Sequence, residues 1–177
     1  MTHDGDRSAN GIGNADILIG GVAALWQGDL DLGRRAVETL AAEDLGAGVL
    51  VEELSYGAVA VAQRLEELRP SVLVLVGAAE RGREPGAVER REPPPEPLPV
   101  AEAQLAVGDA VTGYVSIDLV VRVAQALGAL PPEVVAIEVE PASTEVSEQL
   151  TPEAEAGLAR ALELVRAEVR ARPAPAA

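Results

Sequence analysis

Short apolar runs that end in glycine or turn residues alternate along this chain with longer stretches whose apolar residues recur at helical spacing. The strongest run is Ser-Val-Leu-Val-Leu-Val at residues 71–76. Continuous apolar runs of this length are typical of strands buried on both faces of a parallel sheet. The pattern predicts strands at residues 17–22, 49–51, 71–76, 88–91 and 134–139.

The stretches between these strands predict four helices, at residues 32–40, 58–68, 116–127 and from residue 152 onwards. Thr151 suits the N-cap of the last helix, and Pro152 suits its first turn. Regular alternation of strand and helix predicts a single α/β domain: a mainly parallel, twisted sheet of about five strands with helices on both faces.

The chain ends differ in composition from the rest. Residues 1–15 are polar and glycine-rich, and we expect a disordered leader there; residues 172–177 predict a disordered tail, and residues 16–171 the domain. The proline run at residues 93–99 excludes a helix or a central strand. It predicts a linker or a loop that crosses one edge of the sheet, and a linker is favoured.

The charge of the chain narrows the class of partner. The formal net charge is −15, which repels phosphate backbones and anionic lipids and argues against nucleic-acid or membrane binding. A cationic partner surface fits better, although such a charge also serves solubility alone. No signal pattern and no bilayer-length apolar run is present, so we expect a cytoplasmic protein.

Several kinds of catalytic site are excluded by residue type. The chain has no cysteine, which rules out disulfides, thiolate metal ligands and a cysteine nucleophile, and its one histidine, His3, lies in the polar leader. Ser55, Thr112 and Ser116 therefore have no histidine base. The glycines lack the spacing of a dinucleotide or phosphate loop.

The order of the motifs resembles that of the hydrogenase maturation proteases. In that family the first strand ends in a Gly-x-Gly-Asn loop, followed by an acidic pair and a glycine-opened helix; residues 21–33 and 35–40 correspond to this stretch. Residues 73–78, 84–86, 112–128, 138–141 and 150–153 resemble later family segments in the same order. The resemblance covers about residues 17–169. It implies a phosphorylase/hydrolase-like fold and an endopeptidase that trims the C-terminal extension of a nickel–iron hydrogenase large subunit.

A second copy of the glycine motif stands nearer the N-terminus. Residues 11–14 read Gly-Ile-Gly-Asn, but no apolar strand precedes them, and a strand rather than an acidic pair follows. We assign this copy to the leader.

The resemblance also implies a metal site that this chain has lost. The family's two carboxylates and one histidine correspond to Leu30, Gly77 and Gly113, none of which can ligate a metal. No cofactor is therefore predicted, and nickel enters only if the chain is an active protease. Asp29 and Asp31 flank the first position; they predict either an oxygen-ligated Mg or Ca site after a loop shift, or a charged first turn of the helix beginning near Leu32.

The remaining candidates are residues that line the expected binding crevice: Trp26, Asp29, Asp31, Tyr56, Gly77 and Gly113. Trp26 is the only tryptophan and is either a binding anchor or a core or lid residue. Tyr56 either lines the crevice or belongs to a turn with a half-buried ring.

Three functions follow from these observations. The first is a pseudoenzyme that kept the fold and acts as a binding or accessory protein, with a hydrogenase large-subunit precursor or another maturation factor as its partner. The alternative is an active endopeptidase, because metal held by the substrate would make ligands on the protease dispensable. The third is a small-molecule enzyme of another class that uses the acidic crevice.

Overall fold

The computed structural model describes residues 15–94 and 96–173, which fold around one five-stranded sheet. The strands are β1 (Ile17–Val22), β2 (Val49–Glu53), β3 (Val72–Ala78), β4 (Val88–Arg91) and β5 (Glu133–Val139). Their order across the sheet is β2-β1-β3-β5-β4. All neighbours are parallel except β4, which pairs antiparallel with β5 at one edge.

Within the described residues, five helices cover the two faces of the sheet. They are α1 (Leu32–Leu40), α2 (Ala58–Leu68), α3 (Val100–Ala110), α4 (Ile117–Ala126) and α5 (Pro152–Arg170), and a 3₁₀ turn (Gly28–Asp31) precedes α1. Helices α1 and α5 pack on one face, and α2, α3 and α4 pack on the other. The predicted fold class, a mainly parallel five-stranded α/β domain with helices on both faces, is confirmed.

Strand β3 lies at the centre of the sheet and shows how the apolar pattern becomes a two-sided core. Leu73 and Leu75 belong to the cluster under α2 and α4, whereas Val74 and Val76 belong to the cluster under α1 and α5. All four side chains are fully buried. A strand alternates its side chains between the two faces, so a continuous apolar run is what a doubly covered strand requires.

The first turn of α1 lies directly on the backbone of β1. A Cβ atom added to Gly33 would stand 2.1 Å from the carbonyl oxygen of Val22, and one added to Gly21 would stand 2.2 Å from the carbonyl oxygen of Gly33. Only glycine permits this approach. The contact holds the loop between β1 and α1 over the carboxyl ends of the strands.

The structure differs from the prediction in two features. Helix α3 follows the proline run, and the sequence did not indicate it because Ala106 is its only buried residue, so its apolar residues have no amphipathic period. The proline run is also no linker within the described residues. Pro93 is buried, Leu98 packs against the core, and the side chain of Gln125 donates a hydrogen bond to the carbonyl of Pro94.

Residues just outside the predicted bounds of the domain also contact it. Residues 1–14, with His3 and the glycine motif at 11–14, and residues 174–177 are outside the described residues. Ala15, assigned to the leader, is buried. Arg172, assigned to the tail, forms ion pairs with Glu133 and Glu168. None of the described helices is both long enough and apolar enough to cross a membrane.

Candidate functional site

The loops that follow β1 and β3 meet the segment between α3 and α4 at the carboxyl edge of the sheet. They enclose a cavity of about 140 Å³ whose lining includes Leu30, Ala78, Arg81, Tyr114, Ser116 and Asp118. Leu30 is one of the three positions that correspond to metal ligands in the resembling family. Gly77 and Gly113 directly precede the lining residues Ala78 and Tyr114. Of the three positions, Leu30 lines the cavity, and the other two lie next to residues that line it.

The residues at these positions do not fit a metal. A leucine and two glycines supply no donor atom. A Cβ atom on Gly77 would stand 2.6 Å from the carbonyl oxygen of Val22, so the backbone leaves no room there for a side chain. Gly113 has a φ of 77° and faces open space. Among the described residues, no three histidine, aspartate or glutamate side chains are grouped so as to hold a metal ion.

An arginine lies in this cavity instead. The guanidinium of Arg81 donates to both carboxylate oxygens of Asp118 at 2.7 and 2.8 Å, and to those of Glu138 at 3.0 and 2.7 Å. The hydrogen bonds to Glu138 and then to Asp118 raise the pKa of Arg81, so the group stays charged. Because Arg81 holds both carboxylates, neither Asp118 nor Glu138 is free to ligate a metal cation at this point.

Glu138 is the centre of a buried ion-pair network. It lies on β5 opposite Gly77 of β3, is fully buried, and accepts hydrogen bonds from Arg81, Arg83 and Arg91. Burial raises the pKa of Glu138, but the hydrogen bonds from Arg81 and Arg91 outweigh it and lower the pKa to about 2. The sequence analysis missed this network, although a glutamate inside the apolar run at residues 134–139 is a visible signal.

A second buried carboxylate fixes the loop after β3. Glu140 accepts hydrogen bonds from the backbone N–H groups of Arg81 at 2.8 Å and Gly82 at 3.2 Å. Glu140 holds the backbone of Arg81, and Glu138 holds its guanidinium. The whole residue is therefore fixed in position. The cavity therefore has a rigid wall in which Arg81 is paired with Asp118 and Glu138.

Asp29 precedes the lining residue Leu30, but Asp29 itself does not line the cavity. Its side chain is fully buried and accepts hydrogen bonds from the backbone N–H groups of Ala142, Ser143 and Thr151 and from the Thr151 hydroxyl, at 2.7–3.0 Å. These donors take up its acceptor sites, so Asp29 joins two loops and does not line the crevice. For the same reason, Asp29 has no free acceptor site with which to ligate a cation.

Asp31 is likewise buried, at the N-cap position of α1, but its carboxylate makes no capping hydrogen bond. It pairs with Arg34 one turn along the helix, at 2.9 and 3.0 Å from Nε to the two oxygens. The predicted charged first turn of α1 thus takes the form of an Asp31–Arg34 ion pair. Neither Asp29 nor Asp31 faces the cavity.

The aromatic candidates are exposed on loops that follow the carboxyl ends of β1 and β2. Trp26 is 62% exposed in the loop after β1, and Tyr56 is 54% exposed in the turn between β2 and α2. Burial of part of the ring raises the pKa of Tyr56, and the charge of Glu52 raises it further. Tyr114, which the sequence analysis did not select, is equally exposed and lines the cavity itself.

A larger open cavity, of about 580 Å³, lies at the opposite edge of the sheet. Its lining comes from the end of α2 and from the segment before β5, with Glu66 and Arg69 as the charged residues. No group of candidate residues gathers there. The carboxyl edge therefore remains the candidate site, as expected for a parallel sheet.

Comparison with known proteins identifies the fold. No protein-family model matches the sequence, and no curated protein sequence matches it. Among solved structures, the chain is similar to the hydrogenase maturating endopeptidase HybD from E. coli, at a TM-score of 0.65 and 25% identity over 88% of this chain and 92% of that one. It is also similar to the [NiFe] hydrogenase maturation protease HycI from Thermococcus kodakarensis, at a TM-score of 0.62 and 20% identity over 90% and 95% of the two chains.

A third similar structure is the hydrogenase 2 maturation peptidase from a Thaumarchaeota archaeon, at a TM-score of 0.60 and 22% identity over 86% of this chain and 97% of that one. The chain thus has the fold of the hydrogenase maturation proteases over nearly its whole described length. The resemblance inferred from the order of sequence motifs is confirmed.

Proposed function

We propose that this protein is a binding or accessory protein of nickel–iron hydrogenase maturation that has the protease fold but no metal site of its own. The observation that supports this most directly is the content of the cavity at the carboxyl edge. Leu30, Gly77 and Gly113 offer no donor, and the cavity is lined by Arg81, whose guanidinium is paired with Asp118.

The cavity also lacks the groups that cleave a peptide bond by nucleophilic attack. The hydroxyl of Ser116 accepts a hydrogen bond from the N–H of Leu119 as the N-cap of α4, and no histidine occurs among the described residues. A serine hydroxyl without a base is a weak nucleophile at neutral pH. We therefore assign binding rather than hydrolysis to this surface.

The proposed partner is a hydrogenase large-subunit precursor or another maturation factor, met in the cytoplasm. The likeness to HybD and HycI supports this choice, because all three relatives described above are named for hydrogenase maturation. The rigid loops around the cavity support recognition, since a surface that is already ordered loses little entropy on binding.

The same likeness favours one alternative, an active endopeptidase acting on that precursor. In this case the nickel would belong to the substrate, and the protein would supply only the surface that positions the scissile bond. The absence of ligands at Leu30, Gly77 and Gly113 is compatible with such a mechanism.

Co-expression with a hydrogenase large-subunit precursor that carries its C-terminal extension separates these functions. We expect the tagged protein to retain the precursor on an affinity column while the intact mass of the precursor stays unchanged. Loss of the extension would establish the endopeptidase, and failure to retain any precursor would overturn both hypotheses. A hydrogenase maturation endopeptidase of the same fold, expressed in parallel, is the control for cleavage.

Nickel titration by calorimetry tests the binding chemistry directly. We expect no binding heat for the wild-type protein and a clear isotherm for the control endopeptidase. Tight nickel binding by the wild-type chain would contradict the assignment of Leu30, Gly77 and Gly113 as vacated ligand positions.

A further inference from the structure

The backbone of Trp26 adopts a conformation that is costly for a bulky residue. Its φ is 61°, in the left-handed region, and its indole is nevertheless 62% exposed. For a residue other than glycine, this conformation costs about 1–3 kcal/mol of folding free energy, and it persists only where the surrounding structure enforces it. Burial of the ring does not repay this cost within the chain.

Hydrogen bonds on both sides enforce the conformation. The carbonyl of Trp26 accepts from the N–H of Ser147 at 2.9 Å, and the N–H of Gly28 donates back to the carbonyl of Ser147 at 3.1 Å. The N–H of Gln27 closes the turn on the carbonyl of Ala24. The fold thus presents an exposed indole on a fixed loop, and little entropy remains to be lost when it binds.

Other exposed apolar side chains lie on loops that are hydrogen-bonded to the loop between β1 and α1, or that share the cavity with it. Val146 precedes Ser147, and Tyr56 follows Ser55, whose hydroxyl accepts a hydrogen bond from the N–H of Ala23 at 3.0 Å. Tyr114 shares the cavity lining with Leu30. We call the exposed residues Leu25, Trp26, Tyr56, Tyr114 and Val146 the Trp26 surface.

The charges on these loops are acidic. Glu53, Glu80, Glu145 and Glu148 have no ion-pair partner among the described residues. Arg81, which lines the cavity nearby, is already paired with Glu138 and Asp118. A second copy of a chain with net charge −15 would bring like charges together at this surface. Charge complementarity selects a basic partner instead.

We propose that the Trp26 surface binds a protein segment in which apolar residues are flanked by arginine or lysine, with Trp26 as the central anchor. In this proposal the apolar residues of the segment cover the exposed indole, and its basic residues face the exposed Glu80, Glu145 and Glu148. Tryptophan is enriched among residues that dominate binding energy, and a surrounding ring of polar groups excludes water from it. The inference deepens the proposed function and rests on it only in placing the contact at the carboxyl edge.

The intrinsic fluorescence of Trp26 gives a direct measurement, because it is the only tryptophan of the chain. Three synthetic peptides of equal length and without tryptophan are compared: an apolar centre flanked by arginines, the same centre flanked by glutamates, and a serine centre flanked by arginines. We expect the first to shift the emission to shorter wavelength and to bind at least about tenfold more tightly than either of the others. Equal binding of the glutamate-flanked or serine-centred peptide, or no binding of the first, would overturn the proposal.

Variants locate the contact, with binding followed by the anisotropy of a dye on the peptide. Trp26→Ala and Leu25→Ala are each expected to weaken binding about tenfold, whereas Leu105→Ala, an exposed leucine on α3, leaves it unchanged. Glu145→Gln is expected to reduce the salt dependence of binding, and Glu102→Gln on α3 is its control. Urea unfolding of each variant verifies that the fold is retained. Equal affinity of the Leu25 and Leu105 variants would contradict the assignment.

The test of the Trp26 surface and the test of the proposed function can fail independently of each other. If the arginine-flanked peptide binds through Trp26 but no hydrogenase precursor is retained, the inference stands and the proposed function falls. If the precursor is retained equally by wild type and Trp26→Ala, the proposed function stands and the inference falls. A concentration-dependent dimer that Trp26→Ala abolishes would show a second copy on this surface and overturn the inference.

Discussion

Thr151 donates two hydrogen bonds to the buried carboxylate of Asp29, from its backbone N–H to Oδ1 at 2.7 Å and from its hydroxyl to Oδ2 at 2.8 Å. The same hydroxyl accepts a hydrogen bond from the N–H of Ala154 and so caps α5. One carboxylate therefore connects the 3₁₀ turn before α1 to the start of the last helix. Sequence reasoning placed Asp29 at the crevice; the structure makes it a connection between two loops.

The first prediction concerns this connection. Asp29→Asn replaces an acceptor by an amide that meets backbone donors, so we expect the free energy of unfolding to fall by about 3 kcal/mol. Thr151→Val should lower it by about 1–2 kcal/mol, because it removes a cap and one partner of Asp29. Urea unfolding measures both.

Matched controls for these variants are Asp109→Asn and Thr39→Val, at exposed positions on α3 and α1. We expect changes within about 0.5 kcal/mol for each control. If Asp29→Asn were as stable as Asp109→Asn, the Asp29 carboxylate would not stabilise the connection between the two loops. A role for Asp29 in the crevice would then be favoured.

The second prediction compares two helical glycines. Gly33→Ala places a Cβ 2.1 Å from the carbonyl oxygen of Val22, so α1 must move off β1, and we expect a loss of roughly 3 kcal/mol in unfolding free energy. Gly108 in α3 has nothing within 4 Å of an added Cβ. Gly108→Ala should therefore stabilise the protein by about 0.5–1 kcal/mol, because alanine loses less backbone entropy in a helix.

Thermal unfolding of the two variants side by side provides the measurement. The expected signs are opposite, which makes the comparison independent of any general effect of adding a methyl group. A gain in stability for Gly33→Ala would show that the contact between α1 and β1 is looser than the packing of Gly21 and Gly33 indicates.

The third prediction is a pH dependence that comes from Glu138. Its pKa is about 2 in the folded protein and about 4.5 in the unfolded chain. A lowered folded-state pKa means that the stabilisation is fully present above pH 4.5 and is lost as the pH falls towards 2. It amounts to about 3 kcal/mol, since one pKa unit corresponds to about 1.4 kcal/mol.

Urea unfolding between about pH 2 and pH 7 measures this slope. Glu138→Gln should be less stable at neutral pH and should lose most of the decline below pH 5, while Glu102→Gln keeps the wild-type profile. A residual slope is expected, because hydrogen bonds from arginines also lower the pKa values of Asp118 and Glu168. An unchanged profile in Glu138→Gln would contradict the network as described.

Local patterns account for the parts of the fold that the sequence predicted. The alternation of β3 between two cores follows from an unbroken apolar run, and Thr151-Pro152 indicates a helix start without any tertiary information. The bounds of β1, α1 and α2 were predicted for the same reason, because each is a continuous periodic segment that ends at a turn.

Contacts between distant residues account for what was missed. Arg81 and Glu138 are 57 residues apart, and Arg91 and Glu138 are 47 apart. On the sequence, these arginines cannot be told from solvated ones. Asp29 is separated from Thr151 by 122 positions, so its burial was equally hidden. Helix α3 has no apolar period because its exposed face carries Val100 and Leu105.

The last prediction concerns restoration of the lost ligands. Leu30→Glu and Gly113→His return two donors to the cavity, but the guanidinium of Arg81 still lines it and occupies the carboxylates of Asp118 and Glu138. We expect the double variant to bind nickel weakly, and the addition of Arg81→Gln to raise its affinity about tenfold or more, as measured by calorimetry. Arg69→Gln, at the opposite edge of the sheet, is the control and should have no effect. The third position, Gly77, stays unchanged, because an aspartate there would collide with the carbonyl of Val22. Equal nickel affinity with and without Arg81 would show that the lack of donors alone, and not the arginine, keeps metal out of this cavity.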